Sequence, residues 1–145
     1  MRCRPAIALV ENAHLLLMRY RYPGGDLYNL PGGNLEPGEF IHQALIRECQ
    51  EELGIEVELG KLLVMGEMQA DAHRKACLHL VFEARLIAGI PILNTQESTA
   101  DSLCWVPIAS LGEYPMYPAM AQPLCDALLT GSHGHSVGPF TQAWM

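Results

Sequence analysis

Residues 39 to 53 contain neither glycine nor proline, and Gly54 follows them where a helix takes a left-handed closing residue. This run predicts a helix, and its side chains restrict what that helix can face. At roughly 100° per residue, Ile41, Ala44 and Leu45 gather on one side, which is expected to meet a sheet. Gln43, Arg47 and Gln50 project to the opposite, solvent side. Glu48, Glu51 and Glu52, however, fall on the apolar side, and their i, i+3, i+4 spacing makes them neighbours. Burying such carboxylates unpaired costs roughly several kcal/mol, so something must compensate. A hard divalent cation held by oxygen ligands is the simplest compensation. The plainer alternative is an acidic helix end splayed into water, with Arg47 pairing Glu51.

Around this helix the chain reads as strands. Cys3 to Glu11 and Leu15 to Arg21 are expected to form a pair around a turn at Asn12-Ala13. Tyr22 to Asp26 reads as a loop, and Leu27 to Gly33 as a short extended piece ending in a turn. Strands are expected within Ile55 to Gln69, over Ala76 to Ala88 and over Leu103 to Val106. Gly89 to Ser102 reads as a loop with a short extended piece near Ile90 to Leu93. A second helix is expected over Tyr117 to Leu129, with Pro118 in its first turn. Strands interleaved with two helices give an α/β or α+β sandwich, a mixed sheet flanked by helices. No repeat or linker divides the chain, so residues 1–130 are expected to form a single domain. Residues 131–145, rich in Gly, Ser and His, are expected to be a poorly ordered tail in which His133 and His135 bind no metal.

Composition narrows the function classes. Half of the 145 residues are apolar and 17% are charged, as in a globular protein. A formal net charge of −7 disfavours an extended nucleic-acid surface but not a small phosphorylated ligand carried with a cation. No apolar run is long enough to span a bilayer, and the start of the chain shows no signal-peptide pattern, so a cytoplasmic location is expected. The odd number of cysteines without CxxC spacing reads as buried free thiols.

The stretch from Gly33 through Glu39 to Arg47-Glu48-Cys49-Gln50-Glu51-Glu52-Leu53-Gly54-Ile55 resembles the Nudix box, GX5EX7REUXEEXGU with U aliphatic. The one departure is Cys49 at the first U position, where cysteine packs as a small hydrophobe. The Leu30-Pro31-Gly32-Gly33 lead-in and the Trp105-Val106-Pro107 strand end are also similar to Nudix proteins. The resemblance covers about residues 3 to 129 and implies a Nudix-type α/β/α sandwich.

It further implies a pyrophosphohydrolase using Mg²⁺, or Mn²⁺ as a substitute. Its metal ligands would be Glu48, Glu51 and Glu52, with a backbone carbonyl from Gly32 or Gly33. Arg47 would orient the carboxylates through charge-assisted hydrogen bonds. Glu39 would act through water, in substrate binding, or by stabilising the loop. The general base is expected first among the box glutamates, then at Glu97, then at Glu67.

Arg19 and Arg21, alternating on one face of the second strand, are expected to contact substrate phosphates, and Tyr28 or Trp105 to stack a base. His73, Arg74 and Lys75 add a small basic patch. The subfamily markers for ADP-ribose and dinucleoside-polyphosphate hydrolases are missing from Ala70 to His73. A MutT-like enzyme acting on nucleoside triphosphates is therefore the default, with a nucleotide-like diphosphate as substrate and no membrane or extended nucleic acid as partner. Two other readings remain on the same fold: an isoprenoid-diphosphate isomerase and a non-catalytic nucleotide or metabolite sensor. Family members are frequently dimers, which leaves a homodimer open.

Overall fold

The computed structural model describes residues 1–140. Its strands are β1 (Arg2–Glu11), β2 (His14–Tyr22), β3 (Gly25–Asn29), β4 (Glu56–Met68), β5 (Cys77–Ala88), β6 (Ser102–Pro107) and β7 (His135–Ser136). Helix α1 spans Ile41–Leu53, helix α2 spans Ala121–Thr130, and a 3₁₀ turn covers Ile108–Glu113. The sheet runs β3-β2-β1-β5-β4-β7, with β6 paired to β2. It is mixed, because β1 and β5 run parallel, as do β4 and β7, while the other pairs are antiparallel.

Two apolar layers hold this sheet. On one face Leu45, Cys49 and Leu53 of α1 pack with Ile7, Leu9, Leu16, Ile55 and Val57. On the other, Leu124, Cys125 and Ala127 of α2 pack with Leu15, Leu17, Val64, Val81 and Leu111. The expected sandwich of a mixed sheet between helices is therefore present. Cys49 is buried and fills the aliphatic position as a small hydrophobe.

Local chemistry explains the turns. Asn12 and Ala13 both have positive φ (50° and 59°), as a two-residue turn needs to match the twist of the β1–β2 pair. Gly54 closes α1 at φ 66°, and its N–H donates to the Gln50 carbonyl at 3.1 Å.

Four expectations need correction. Tyr22 to Asp26 is not simply a loop, since Gly25 and Asp26 already pair with β2. The extended piece near Ile90 to Leu93 forms no strand; Ile92 N–H and Asn94 N–H instead bond the Leu53 and Glu52 carbonyls. Helix α2 starts at Ala121, because Tyr117 is committed elsewhere: its N–H donates to the Tyr28 carbonyl at 3.0 Å.

The tail is also ordered further than its composition suggests. β7 pairs with Val64 and Met65, Phe140 N–H bonds the Glu67 carbonyl at 2.7 Å, and the Phe140 ring is 8% exposed. Gly66 makes this seat, because a Cβ there would lie 2.5 Å from the ring. Residues 141–145 of the expected tail lie outside the described residues.

Beside Phe140, His79 of β5 is 7% exposed, with ring centroids 6.3 Å apart. Burial, aided by the charges of Arg4 and Arg74, lowers its pKa to about 4. An unfolded imidazole near pH 6.5 takes up a proton that the folded one refuses. Stability from this group is thus intact above the unfolded value and lost as pH falls toward the folded one, about 3 kcal/mol in all. Urea unfolding between pH 7 and pH 4 should show that acid-labile component in the wild type and not in His79→Asn. Parallel profiles for the two proteins would refute it.

Candidate active site

The loop from Leu30 to Glu39 is laid along β1. Ile7 N–H donates to the Pro31 carbonyl at 2.9 Å, Gly33 N–H to Pro5 at 3.3 Å, and Leu35 N–H to Cys3 at 2.9 Å. Gly32 lies so close that a Cβ would overlap the Pro5 carbonyl and sit 2.7 Å from Ala6 Cα. Gly33 lies directly under Glu48, whose carboxylate would collide with any Cβ there. Gly32 thereby lets the loop lie against β1, and Gly33 lets it pass beneath the acidic end of α1.

Arg47 organises that end. Nε and Nη2 donate to the two oxygens of Glu39 at 2.7 and 3.0 Å, a bidentate fork. Nη1 donates to Glu48 Oε1 at 3.0 Å and to Glu51 Oε2 at 3.1 Å. The solvent exposure expected of Arg47 is therefore corrected: only 25% of its side chain is exposed. Its acidic neighbours Glu36, Glu39, Glu48 and Glu51 outweigh the helix-wheel position. Glu39 is fully engaged, accepting also from the Glu36 N–H at 3.2 Å, and the Arg47 fork holds its carboxyl below the usual range. These contacts tie it to the loop and to Arg47.

Glu52 is the most buried of the three box acids, 7% exposed, and its Oε1 has no hydrogen-bond partner among the described residues. Burial first, and then Glu48 beside it, push its carboxyl well above the usual carboxylate range. The Arg4 charge and the Ser98 hydroxyl act in the other direction. Ser98 also lies by the Tyr20 phenol. The Ser98 loop is pinned to α1 by Asn94, whose N–H donates to the Glu52 carbonyl at 2.8 Å. Among the described residues no three His, Cys, Asp or Glu side chains form a ready-made metal cluster, and Glu48 and Glu51 are instead bonded to Arg47. The donor set nevertheless fits a hard divalent cation. It offers an acceptor-only buried oxygen without a partner, an adjacent carboxylate and a glycine backbone within its reach.

Next to this centre opens a cleft of about 280 Å³ lined by Arg4, Tyr20, Tyr22, Leu27, Tyr28, Asn29, Thr99 and Tyr117. Of the residues expected to bind substrate, Tyr28 is here, packed edge-on against Tyr114 at 5.1 Å. Arg19 and Arg21 do not line it; they pair with Asp26 at 3.0 Å and Asp101 at 3.1 Å. Strand alternation turns them away from Tyr20. Trp105 lies on β6 and does not line the cleft either.

Glu97 is exposed, and it is the following residue, Ser98, that faces Glu52. Glu67 sits on β4 beside the tail. Arg74, paired to Asp71 at 2.9 Å, stacks over Tyr117 at the rim of the cleft, 4.8 Å from the ring centre. Sequence reasoning missed Arg4, Tyr20 and Ser98. Strand alternation carried a usable signal for Tyr20, since it opposes Arg19 and Arg21, whereas a loop serine carries none.

The chain matches the NUDIX domain family over residues 1–127. It belongs to the Nudix family. An 8-oxo-dGDP phosphatase of Homo sapiens is 37% identical over 110 residues, 73% of this chain and 32% of that protein. Diphosphoinositol polyphosphate phosphohydrolase 2 of Mus musculus is 42% identical over 64 residues, 44% of this chain and 35% of that protein. The Nudix chain thus spans about a third of the length of these two curated relatives. Among solved structures, a MutT NUDIX hydrolase from Burkholderia pseudomallei superposes with a TM-score of 0.70 at 27% identity, covering 83% of this chain and 94% of that one.

Proposed function

We propose that this Nudix chain hydrolyses the diphosphate linkage of a nucleoside di- or triphosphate, using Mg²⁺ or Mn²⁺ held by Glu48, Glu51, Glu52 and a carbonyl of Gly32 or Gly33. The observation that carries this reading is the buried, partnerless Oε1 of Glu52 beside Glu48, adjoining a tyrosine-lined cleft. When bound, the cation neutralises diphosphate oxygens and lowers the pKa of a water. The chain's own residues do the rest. Arg47 fixes the carboxylates, the loop glycines admit close approach, and Tyr20, Tyr22 and Tyr28 offer apolar faces to a base. With Glu97 exposed and Glu67 by the tail, a box glutamate is the favoured proton acceptor.

The human relative, an 8-oxo-dGDP phosphatase, supports a nucleoside diphosphate-type substrate. A densely phosphorylated inositol fits less well, because the chain carries a net charge of −7 and the cleft contains one arginine among tyrosines. The deciding assay is product release from nucleoside di- and triphosphates, ADP-ribose, sugar nucleotides and dinucleoside polyphosphates, with Mg²⁺ and with EDTA. EDTA-sensitive cleavage of nucleoside di- or triphosphates is expected. Tight ligand binding without turnover in Mg²⁺ would replace this reading with a sensor.

Arg47→Gln should lower kcat by about 100-fold with little change in Tm, because Glu39, Glu48 and Glu51 lose their common anchor and the acidic end of α1 spreads. Arg47→Lys should recover little, since a point charge cannot make the fork. Near-normal kcat in Arg47→Gln would reduce Arg47 to a surface residue.

A further inference from the structure

We propose that Arg4 is a phosphate-binding residue of this site, contacting the substrate phosphate that lies between the tyrosine cleft and Glu52. The proposal rests on the diphosphate-hydrolase reading and names a cation that the reading lacked once Arg19 and Arg21 are found in ion pairs facing elsewhere.

Three observations carry it. First, Arg4 lines the cleft together with Tyr20, Tyr22, Tyr28 and Thr99, and among the described residues it is the only arginine or lysine that does. Second, its donors are largely unspent. Nη2 donates to the Leu30 carbonyl at 3.3 Å, and among the described residues Arg4 takes part in no ion pair, whereas Arg19, Arg21, Arg47, Arg74 and Arg85 each have a carboxylate within 4.0 Å. A guanidinium carries five N–H donors in a planar fork suited to phosphate oxygens. Third, Arg4 shares the cleft with Tyr20, and its charge acts on both Tyr20 and Glu52 without an ion pair closing on either. A half-buried arginine in a cleft, within electrostatic range of such a carboxylate but not paired with it, is placed to receive an anionic group.

Its position in the chain reinforces this. Arg4 is held in β1 opposite His79 of β5, and the next residue, Pro5, receives the Gly33 N–H. The same strand therefore places the cation and seats the glycine loop. The bond to Leu30 fixes the guanidinium at the lead-in to that loop.

The test compares wild type, Arg4→Gln, Arg4→Lys and Arg21→Gln in two measurements: calorimetric binding of inorganic diphosphate in Mg²⁺, and kcat and KM on the best substrate of the panel. Arg4→Gln should weaken diphosphate binding and raise KM by about 10- to 100-fold with Tm little changed, as expected for a hydrogen-bonded charge pair. Arg4→Lys should regain part of the loss, and Arg21→Gln should match wild type. Unchanged diphosphate affinity and KM in Arg4→Gln, in a wild type that is active, would overturn the role of Arg4 and leave the hydrolase standing. A wild type that cleaves nothing but binds diphosphate through Arg4 would keep the binding residue and remove the reaction. A lower Tm and kcat with unaltered diphosphate affinity would reduce Arg4 to an anchor for Leu30.

Discussion

Replacing Glu52 with glutamine is expected to lower kcat by about a thousandfold in Mg²⁺ and, in EDTA at pH 8, to raise Tm above that of the wild type. The two effects have one origin. Glu52 is buried beside Glu48, with an oxygen that has no hydrogen-bond partner among the described residues, so its negative charge is costly unless a cation is present. Because the fold raises this carboxyl above its usual range, the unfolded chain gives up the proton at lower pH than the folded one. Metal-free wild type therefore loses stability as pH rises from the ordinary carboxylate range, and glutamine, which has no proton to lose, does not.

The advantage of Glu52→Gln should accordingly vanish at acid pH, grow toward neutrality, and disappear when Mg²⁺ is added. Thermal unfolding across that range, with and without EDTA, reads it directly. A variant less stable than wild type under every condition would mean that Glu52 is held by partners rather than waiting for a cation.

Gly32→Ala should be among the most damaging single-methyl changes in the chain. The added carbon would overlap the Pro5 carbonyl and press on Ala6 Cα at 2.7 Å, and both belong to β1, with Ala6 buried. Neither neighbour is the free end of a side chain, so the loop must lift away from β1 and strain the bonds that join its Pro31, Gly33 and Leu35 to Ile7, Pro5 and Cys3. A loss of about 3 kcal/mol, together with nearly all activity, is expected. Gly38→Ala is the control. At φ 78° it carries backbone strain, but its Cβ would meet nothing within 4 Å, so it should cost about 1 kcal/mol. Denaturant unfolding of both variants decides the matter, and similar losses would show that the contact with β1 is not what makes Gly32 necessary.

What the sequence revealed of this molecule was what local spacing encodes. Helix α1, its glycine cap and the shared face of Glu48, Glu51 and Glu52 follow from a period of 3.6, and the Asn12-Ala13 turn follows from two flanking strands. Arg47 shows where that logic stops. The helix wheel sends it to solvent, but Glu39, contributed by a preceding loop, captures it. Charge and alternation point to Arg19 and Arg21, yet Asp26 and Asp101 pair with them. Arg4 carries no local signal, because its surroundings depend on which strand lies beside β1 and which loop crosses it. Ser98 displaced Glu97 by one position, a distinction made only by the way Asn94 pins the loop to α1. Helix α2 began late for a similar reason, since Tyr117 bonds a strand far away in sequence.

The docked tail has a consequence for how copies of this protein meet one another. β4 is long, and a long strand with unpaired backbone groups is a template onto which another molecule can add its own strand. Gly134, Val137 and Phe140 donate to the Leu62, Met65 and Glu67 carbonyls, so one half of that template is already occupied from within. The other half carries Glu56, Glu58 and Lys61, exposed charges that an incoming strand would have to bury. A segment whose composition suggests a poorly ordered tail thus covers a strand edge that would otherwise be open to pairing with another copy.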